Sequence, residues 1–373
     1  MQTTAQGFLI FELTHSPSYL GYIGFASGIP TWLFTLYGGV VADRVPRRTL
    51  MTVTQSCMMV LAFILAGITF LHVVQPWHIL VLAFFLGTAN SFDAPARQAF
   101  VSEMVPREDL TNAIALNSTM FQTATAVGPA AAGITYALFG AGWCFTINGF
   151  SFVAVIFALQ LMRLQPWVRP QRTTSIIVEL KEGIRYVATN PVVRVLISMV
   201  AVTSMLALSL TTIIPAWAVK VLGGDASTNG FLLSARGVGS LVGALLIASL
   251  GQAVFRGRLL TLGSLVYPLL LFGFALVRWI PFSLVFLAGA GMGMILIMNL
   301  ANALVQTSTP DRLRGRVMGA YTWIFFGSMP VGALWLGIMA DVVGEPEAVI
   351  INAILAFLFG VAIWVFFPEI RKQ

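Results

Sequence analysis

Apolar residues come in long stretches broken by short polar segments, and these stretches set the architecture. A bilayer core of about 30 Å is crossed by roughly 20 helical residues at about 1.5 Å per residue. Runs of that length fall at 20–41, 50–71, 77–97, 113–139, 143–162, 195–217, 226–250, 259–277, 282–305, 317–340 and 348–367. They predict eleven spans. Ahead of them, residues 1–13 form an apolar piece of about 20 Å as a helix, too short to cross alone.

The polar breaks alternate in charge. Eighteen of the 21 Lys and Arg lie in every second break: Arg44, Arg47 and Arg48; Arg97 and Arg107; the cluster at 163–194; Arg256 and Arg258; Arg312, Arg314 and Arg316; Arg371 and Lys372. The opposite breaks hold only Lys220 and Arg278. The positive-inside rule therefore puts the Arg44 break and the C-terminus in the cytoplasm. Residues 1–13 then run outward, and the expectation is twelve spans with both termini inside and a first helix incomplete on its N-terminal side. Trp77, Trp143, Trp217, Trp279 and Trp364 fall near predicted span ends, where an amphipathic ring prefers to sit.

Composition agrees: 58% of the residues are apolar and only 9% are charged, against about a quarter in soluble domains. A net charge of +7 would point to nucleic acid in a soluble chain. Here the cations sit in short clusters between apolar runs, with no basic face interleaved with stacking aromatics, so no nucleic-acid partner is expected. Cys57 and Cys144 both lie inside apolar runs, which argues against a disulfide or a metal site. Met1 is followed by no basic segment and no cleavage site, so no cleavable leader is expected.

The chain repeats itself. Pro106, Gly128 and Gly133 recur as Pro310, Gly332 and Gly337 with the same internal spacing, Gly87 recurs as Gly291, and Ile147-Asn148 as Ile351-Asn352. The offset is 204 residues there and 209 near the start of each half, where Gly21 and Gly28 match Gly230 and Gly237. The predicted fold is all-α, with two six-helix bundles at 1–162 and 195–373 joined by a linker at 163–194. Within the linker, residues 176–187 are amphipathic and are expected to lie along the cytoplasmic interface. Matched glycines serve close helix packing in lipid, and paired bundles can also rock about a central site.

Gly39-Val-Val-Ala-Asp43-Arg44-Val-Pro-Arg47-Arg48 closes the second span. A carboxylate at a membrane boundary can accept hydrogen bonds from a neighbouring helix N-terminus, and the arginines can meet carboxylates or lipid phosphate. The spacing resembles the signature of the major facilitator superfamily between its second and third helices. Pro46 departs from the usual Gly, and the second-half counterpart carries Gln252 where Asp43 maps. Asp93-Ala-Pro95-Ala-Arg97, Asn112 to Asn117 and Gly128-Pro129 extend the likeness to the exporter branch that includes macrolide efflux proteins and the enterobactin exporter. The resemblance covers nearly the whole chain. It implies pseudo-two-fold bundles and a cytoplasmic latch built on Gly39, Asp43, Arg44, Arg47 and Arg48. Asp93 is expected to pair with Arg44 or Arg47, or else with Arg97 on its own helix. Gly128-Pro129-Ala-Ala-Ala-Gly133 partly resembles the antiporter motif, with Ala124 and Ala132 at two of its glycine places; a kink serving packing alone is the other reading.

Arg236 stands near the middle of its span, where a charge costs at least about 2.5 to 3.5 kcal/mol unless water or a partner meets it. It reads as a substrate-anion contact, as part of a proton-linked pair or as a structural pair. Glu12 and Asp341 are the carboxylates nearest the membrane on the external side, and Asn148 is a further polar residue within a span. No phosphate-binding loop and no nucleophile with a His and acid partner occurs, so neither ATP hydrolysis, catalysis nor a cofactor is expected. His15, His72 and His78 lack metal-ligand spacing. The leading expectation is a monomeric, proton-coupled exporter of an amphipathic small molecule, of the drug or siderophore class, in a bacterial cytoplasmic membrane. Nutrient uptake and a non-transporting remnant are the alternatives.

Overall fold

The structure, a computed structural model, describes residues 1–162, 176–250 and 256–372. The arginines at 163, 169 and 172 and the Gln252 stretch therefore lie outside the described residues. Helices follow one another with no strand among the described residues: α1 Gln2–Thr14, α2 Pro17–Arg44, α3 Arg47–Phe70, α4 Pro76–Met104, α5 Leu110–Phe139 and α6 Ala141–Leu161. After α7 Ile176–Thr189 come α8 Pro191–Val221, α9 Ala226–Leu250, α10 Arg256–Leu276, α11 Ile280–Thr307, α12 Asp311–Val343 and α13 Glu345–Phe366. Ten of these are long and apolar enough to cross a membrane. α5 has the length, with 30 residues, but Asn112, Asn117, Gln122 and its threonines keep it out of that group.

Each predicted span is a helix, with ends displaced by a few residues. α4 and α12 run past the apolar stretch at their Arg97 and Arg312 ends, and in α4 the added turns still bury Phe100 and Val101. α8 holds two π-helical turns, Ser204–Leu208 and Trp217–Val221, that no apolar pattern announces. Pro at the first helical turn starts α2, α4 and α8, where its missing N–H costs nothing. Gly140 and Gly344, 204 residues apart, separate α5 from α6 and α12 from α13 with positive φ of 84° and 99°. Leu138, Phe150, Phe157, Leu245 and Val285 stand exposed around the helices, the apolar belt that lipid requires.

The sequence repeat is also a repeat of contacts. Asn148 Nδ2 donates to Gln2 Oε1 at 2.8 Å, and Asn352 Nδ2 donates to the Leu206 carbonyl at 3.4 Å. Donor and acceptor have both moved by 204 residues, so α1 matches α8 from Leu206 onward. Thr31 Oγ1 donates to the Gly87 carbonyl at 3.4 Å, and Ser240 Oγ to the Gly291 carbonyl at 3.2 Å, one repeat later.

Two antiparallel helix crossings join the bundles, α2 with α12 and α5 with α9. At the first, a Cβ on Gly337 would lie 2.6 Å from Gly21 Cα; at the second, a Cβ on Gly133 would lie 2.9 Å from Gly230 Cα. Gly28 against Pro330 and Gly237 against Ala126 continue the same pattern. Gly21, Gly28, Gly133, Gly230, Gly237 and Gly337 are thus places where the two bundles touch, whereas Gly87, Gly291 and Gly332 pack within their own bundle.

Candidate functional site

The two crossings are closed at one end only. Call the end bearing Arg44, Arg97 and Arg316 the basic end, and the one bearing His15, His72 and Asp341 the far end. In α5, Ala126, Ala132, Gly133 and Tyr136 are buried against neighbours, whereas none of residues 110–125 is buried. Leu116, Met120 and Phe121 are 60% or more exposed, so the basic half of α5 stands away from α9. Along α2 and α12 the contacts run from Ser16 and Asp341 to Trp32 and Trp323, whose rings lie 5.3 Å apart. The space between the bundles opens toward the basic end.

At that basic end the motif arginines bind within the first bundle. Arg47 Nη1 pairs with Glu103 Oε1 at 2.7 Å and donates to the Ala99 carbonyl at 3.0 Å. Arg48 donates to the Gln160 and Met162 carbonyls, at 2.5 and 3.2 Å, which caps the C-terminus of α6 where a cation is favoured. Arg44 is exposed, Asp43 is half-buried, and a Cβ on Gly39 would meet nothing within 4 Å; Gly38 is the glycine held against the Ser91 carbonyl of α4.

Asp93 corrects an expectation. It is 2% exposed and accepts from Thr54 Oγ1 at 2.8 Å and Gln55 Nε2 at 3.0 Å, both on α3. It therefore pairs with neither Arg44, Arg47 nor Arg97, which is exposed on the next turn of α4. A buried carboxylate is satisfied by the nearest hydrogen donors, and α3 packs closely enough on α4 to supply two. Glu103, which takes the arginine instead, carries no motif that would have singled it out.

Gly128, Pro129 and Gly133 lie on the α5–α9 crossing. Pro129 interrupts the helix ladder, and the neighbouring Ala130 N–H donates instead to Ser234 Oγ of α9 at 2.8 Å. The Pro129 carbonyl and Gly133 pack against Gly230, whereas Gly128 is open.

Arg236, on α9, is half-buried, and its Nη2 lies 3.0 Å from the Met294 sulfur of α11. Buried Tyr267 of α10 is within electrostatic range. Among the described residues no carboxylate lies within ion-pair distance of this guanidinium, so the structural ion pair is not what holds it. Ser27 is its counterpart one repeat earlier: the Ser27 carbonyl abuts Gly87 as the Arg236 carbonyl abuts Gly291.

At the far end, Glu12 Oε2 accepts from Tyr136 OH at 2.5 Å, tying α1 to α5. These two groups, with Phe11, His15, His72 and Asp225, line a cavity of about 770 Å³. Asp341 accepts from Ser16 Oγ at 3.1 and 3.2 Å and from Ser18 Oγ at 2.8 Å, joining α12 to the start of α2. Lys220 Nζ pairs with Glu345 Oε1 at 3.1 Å. Asn148 is spent on Gln2 and serves to hold α1 on α6. Among the described residues no group of three His, Cys, Asp or Glu could hold a metal ion.

α7 closes the basic end of the second bundle. Glu182 pairs with Arg316, and Gly183 packs against the Arg316 carbonyl, fixing the amphipathic helix to the start of α12.

Comparison with known proteins places these features. A family model described as transmembrane secretion effector matches residues 1–372. The multidrug efflux pump Tap of Mycolicibacterium fortuitum is 24% identical, over 99% of this chain and 92% of that protein. The enterobactin exporter EntS of Shigella flexneri is 25% identical, over 96% of this chain and 86% of that protein. In fold, the chain matches the crystal structure of a bacterial homologue of the human lysosomal transporter Spinster, inward-facing and unoccupied. Its TM-score is 0.70 at 14% identity, covering 99% of this chain and 96% of that one.

Proposed function

Since the chain belongs to the transmembrane secretion effector family of multi-pass membrane transporters, we propose that it exports an amphipathic small molecule, of the drug or siderophore class, from the cytoplasm of a bacterium. The observation that carries the reading is the one-sided opening: α2–α12 and α5–α9 are packed at the far end and apart at the basic end. With the basic end in the cytoplasm, as the positive-inside rule requires, this is the state that loads cargo from within. Tap and EntS, alike over nearly the whole chain, are by name a drug pump and a siderophore exporter.

In this proposal the bundles at 1–162 and 195–373 rock about the glycine crossings, with 163–194 as their connector. Rocking in the other sense brings the basic ends together, where Asp43 meets the start of α12 and forms the inner latch with Arg44, Arg47 and Arg48. Arg236 offers the donors for a polar or anionic part of the cargo. Inward proton flow supplies the energy, with no bound cofactor.

The test is transport in everted membrane vesicles against a panel of macrolides, catechol siderophores and lipophilic cations. Acidifying the lumen should drive accumulation of at least one of them, and a protonophore should abolish it. Accumulation in whole cells instead would overturn export.

A further inference from the structure

We propose that Asp341 is the carboxylate at which an external proton releases the outer gate. The proposal rests on the reading of the chain as a proton-driven exporter. The gate is the far end of the α2–α12 crossing. α2 begins with Ser16 as its N-cap, yet Ser16 makes no capping bond to its own helix. Its hydroxyl is turned to Asp341 across the bundle boundary, and Ser18, two residues on, donates to the same carboxylate. Asp341 thus stands in for the anion that a helix N-terminus favours, supplied from the other bundle.

Placement makes that charge sensitive to conformation. Asp341 lies in the last turn of α12, where its own helix dipole disfavours a negative charge. Among the described residues, contact with the start of α2 is what compensates it. Ionised Asp341 therefore favours the closed outer face. On binding a proton the carboxylate becomes a neutral carboxyl, losing the charge and turning one acceptor oxygen into a donor. It then discriminates less between closed and open, and acidification outside shifts the equilibrium toward open. Asp341 is exposed on this face, so an external proton reaches it.

The second crossing lacks the device. One repeat earlier Ala137 stands in place of Asp341, and α9 is capped from its own chain by Asp225, which accepts from Thr228 N at 3.0 Å. The remaining charged or titratable groups on the segments meeting here are engaged differently. Glu345 holds Lys220, Glu12 holds Tyr136, Glu347 lies against Gly344, Tyr19 and Tyr22 meet edge to face at 5.5 Å, and His15 lines the neighbouring cavity.

The gate can be read without cargo. In a full-length chain with Cys57→Ser and Cys144→Ala, spin labels at Tyr22→Cys of α2 and Val342→Cys of α12 report the outer separation in lipid nanodiscs. As the medium is taken from neutral to acid, a longer distance should grow in. Asp341→Asn should show the longer distance throughout, with the open-to-closed ratio raised at least about fivefold at neutral pH. Asp341→Glu and a His15→Gln control should keep the pH response. An unchanged response in Asp341→Asn, or its loss in His15→Gln, would overturn the assignment. Because no cargo is present, a failure to find export leaves this result standing, and a failed gate leaves the export assay intact.

Discussion

Gly21 of α2 and Gly337 of α12 meet backbone to backbone, and their repeat counterparts, Gly230 of α9 and Gly133 of α5, meet in the same way. A methyl group at Gly337 would sit 2.6 Å from Gly21 Cα, against backbone that cannot swing aside. At Gly21 the closest atom would be the Ala333 carbonyl oxygen at 3.0 Å, which a small shift relieves. Gly337→Ala should therefore cost more than Gly21→Ala. Overpacking of this kind costs about 1 to 3 kcal/mol. Because the clash exists only while the far end is closed, the loss should appear as greater labelling of outer-facing cysteines by an impermeant maleimide. Equal labelling in the two variants and the parent would mean that the crossing is not what closes the outer face.

Asp93 is expected to act on stability and not on gating. Its carboxylate is the partner of Thr54 and Gln55 in a buried α3–α4 contact. Asp93→Ala leaves Gln55 Nε2 without a partner, at about 1 to 3 kcal/mol, while Thr54 Oγ1 keeps the Met51 carbonyl at 3.0 Å. Asp93→Asn retains an acceptor oxygen and should lose less. The melting temperature in detergent should fall in the order parent, Asn, Ala, with cysteine accessibility from either side unchanged. A shift of accessibility in Asp93→Asn without loss of stability would restore a latch role.

The helices were legible because lipid imposes one rule on every span, a run of apolar residues long enough to cross. The repeat was legible because glycines at close crossings cannot be replaced cheaply. Partners were not. Asp93 sits in a motif beside arginines, yet what fills its coordination is decided by which side chains of α3 face it, and spacing along one helix does not say that. Glu103 and Ser16, which bind Arg47 and Asp341, are ordinary in the sequence and become informative only when α2, α4 and α12 are laid side by side. The half of α5 that stands free is a property of one conformation, and nothing local encodes it.

The inner latch can be tested separately from the outer one. The register that pairs Gly21 with Gly337 and Gly28 with Pro330 carries Asp43 to the level of Arg314 and Gly315, near the start of α12. Asp43→Asn should therefore weaken closure of the basic end and hold the chain in the state seen here. Inside-facing cysteines on α5, such as Asn117→Cys, should label faster by roughly fivefold or more, and transport should fall while expression stays near the parent level. Unchanged labelling with normal transport would remove Asp43 from the gate.

Arg236 combines a high cost with a poor partner. A guanidinium offers five donors, and here one of them meets a methionine sulfur, a weak acceptor. No carboxylate of the described residues repays its burial, so cargo or cavity water must do so in the working cycle. Lysine keeps the charge but loses the planar fork, so Arg236→Lys should raise the apparent KM by about tenfold, or about 1.4 kcal/mol, with the maximal rate less affected. Arg236→Gln should abolish transport in a protein that inserts and melts normally. Arg236→Leu separates this role from packing. If the residue serves only to fill the space between α9 and α11, the leucine variant should transport normally and melt at the same or a higher temperature. If it binds cargo, the leucine variant should melt higher, because a buried charge is gone, and fail to transport; cargo-induced stabilisation seen in the parent should vanish with it.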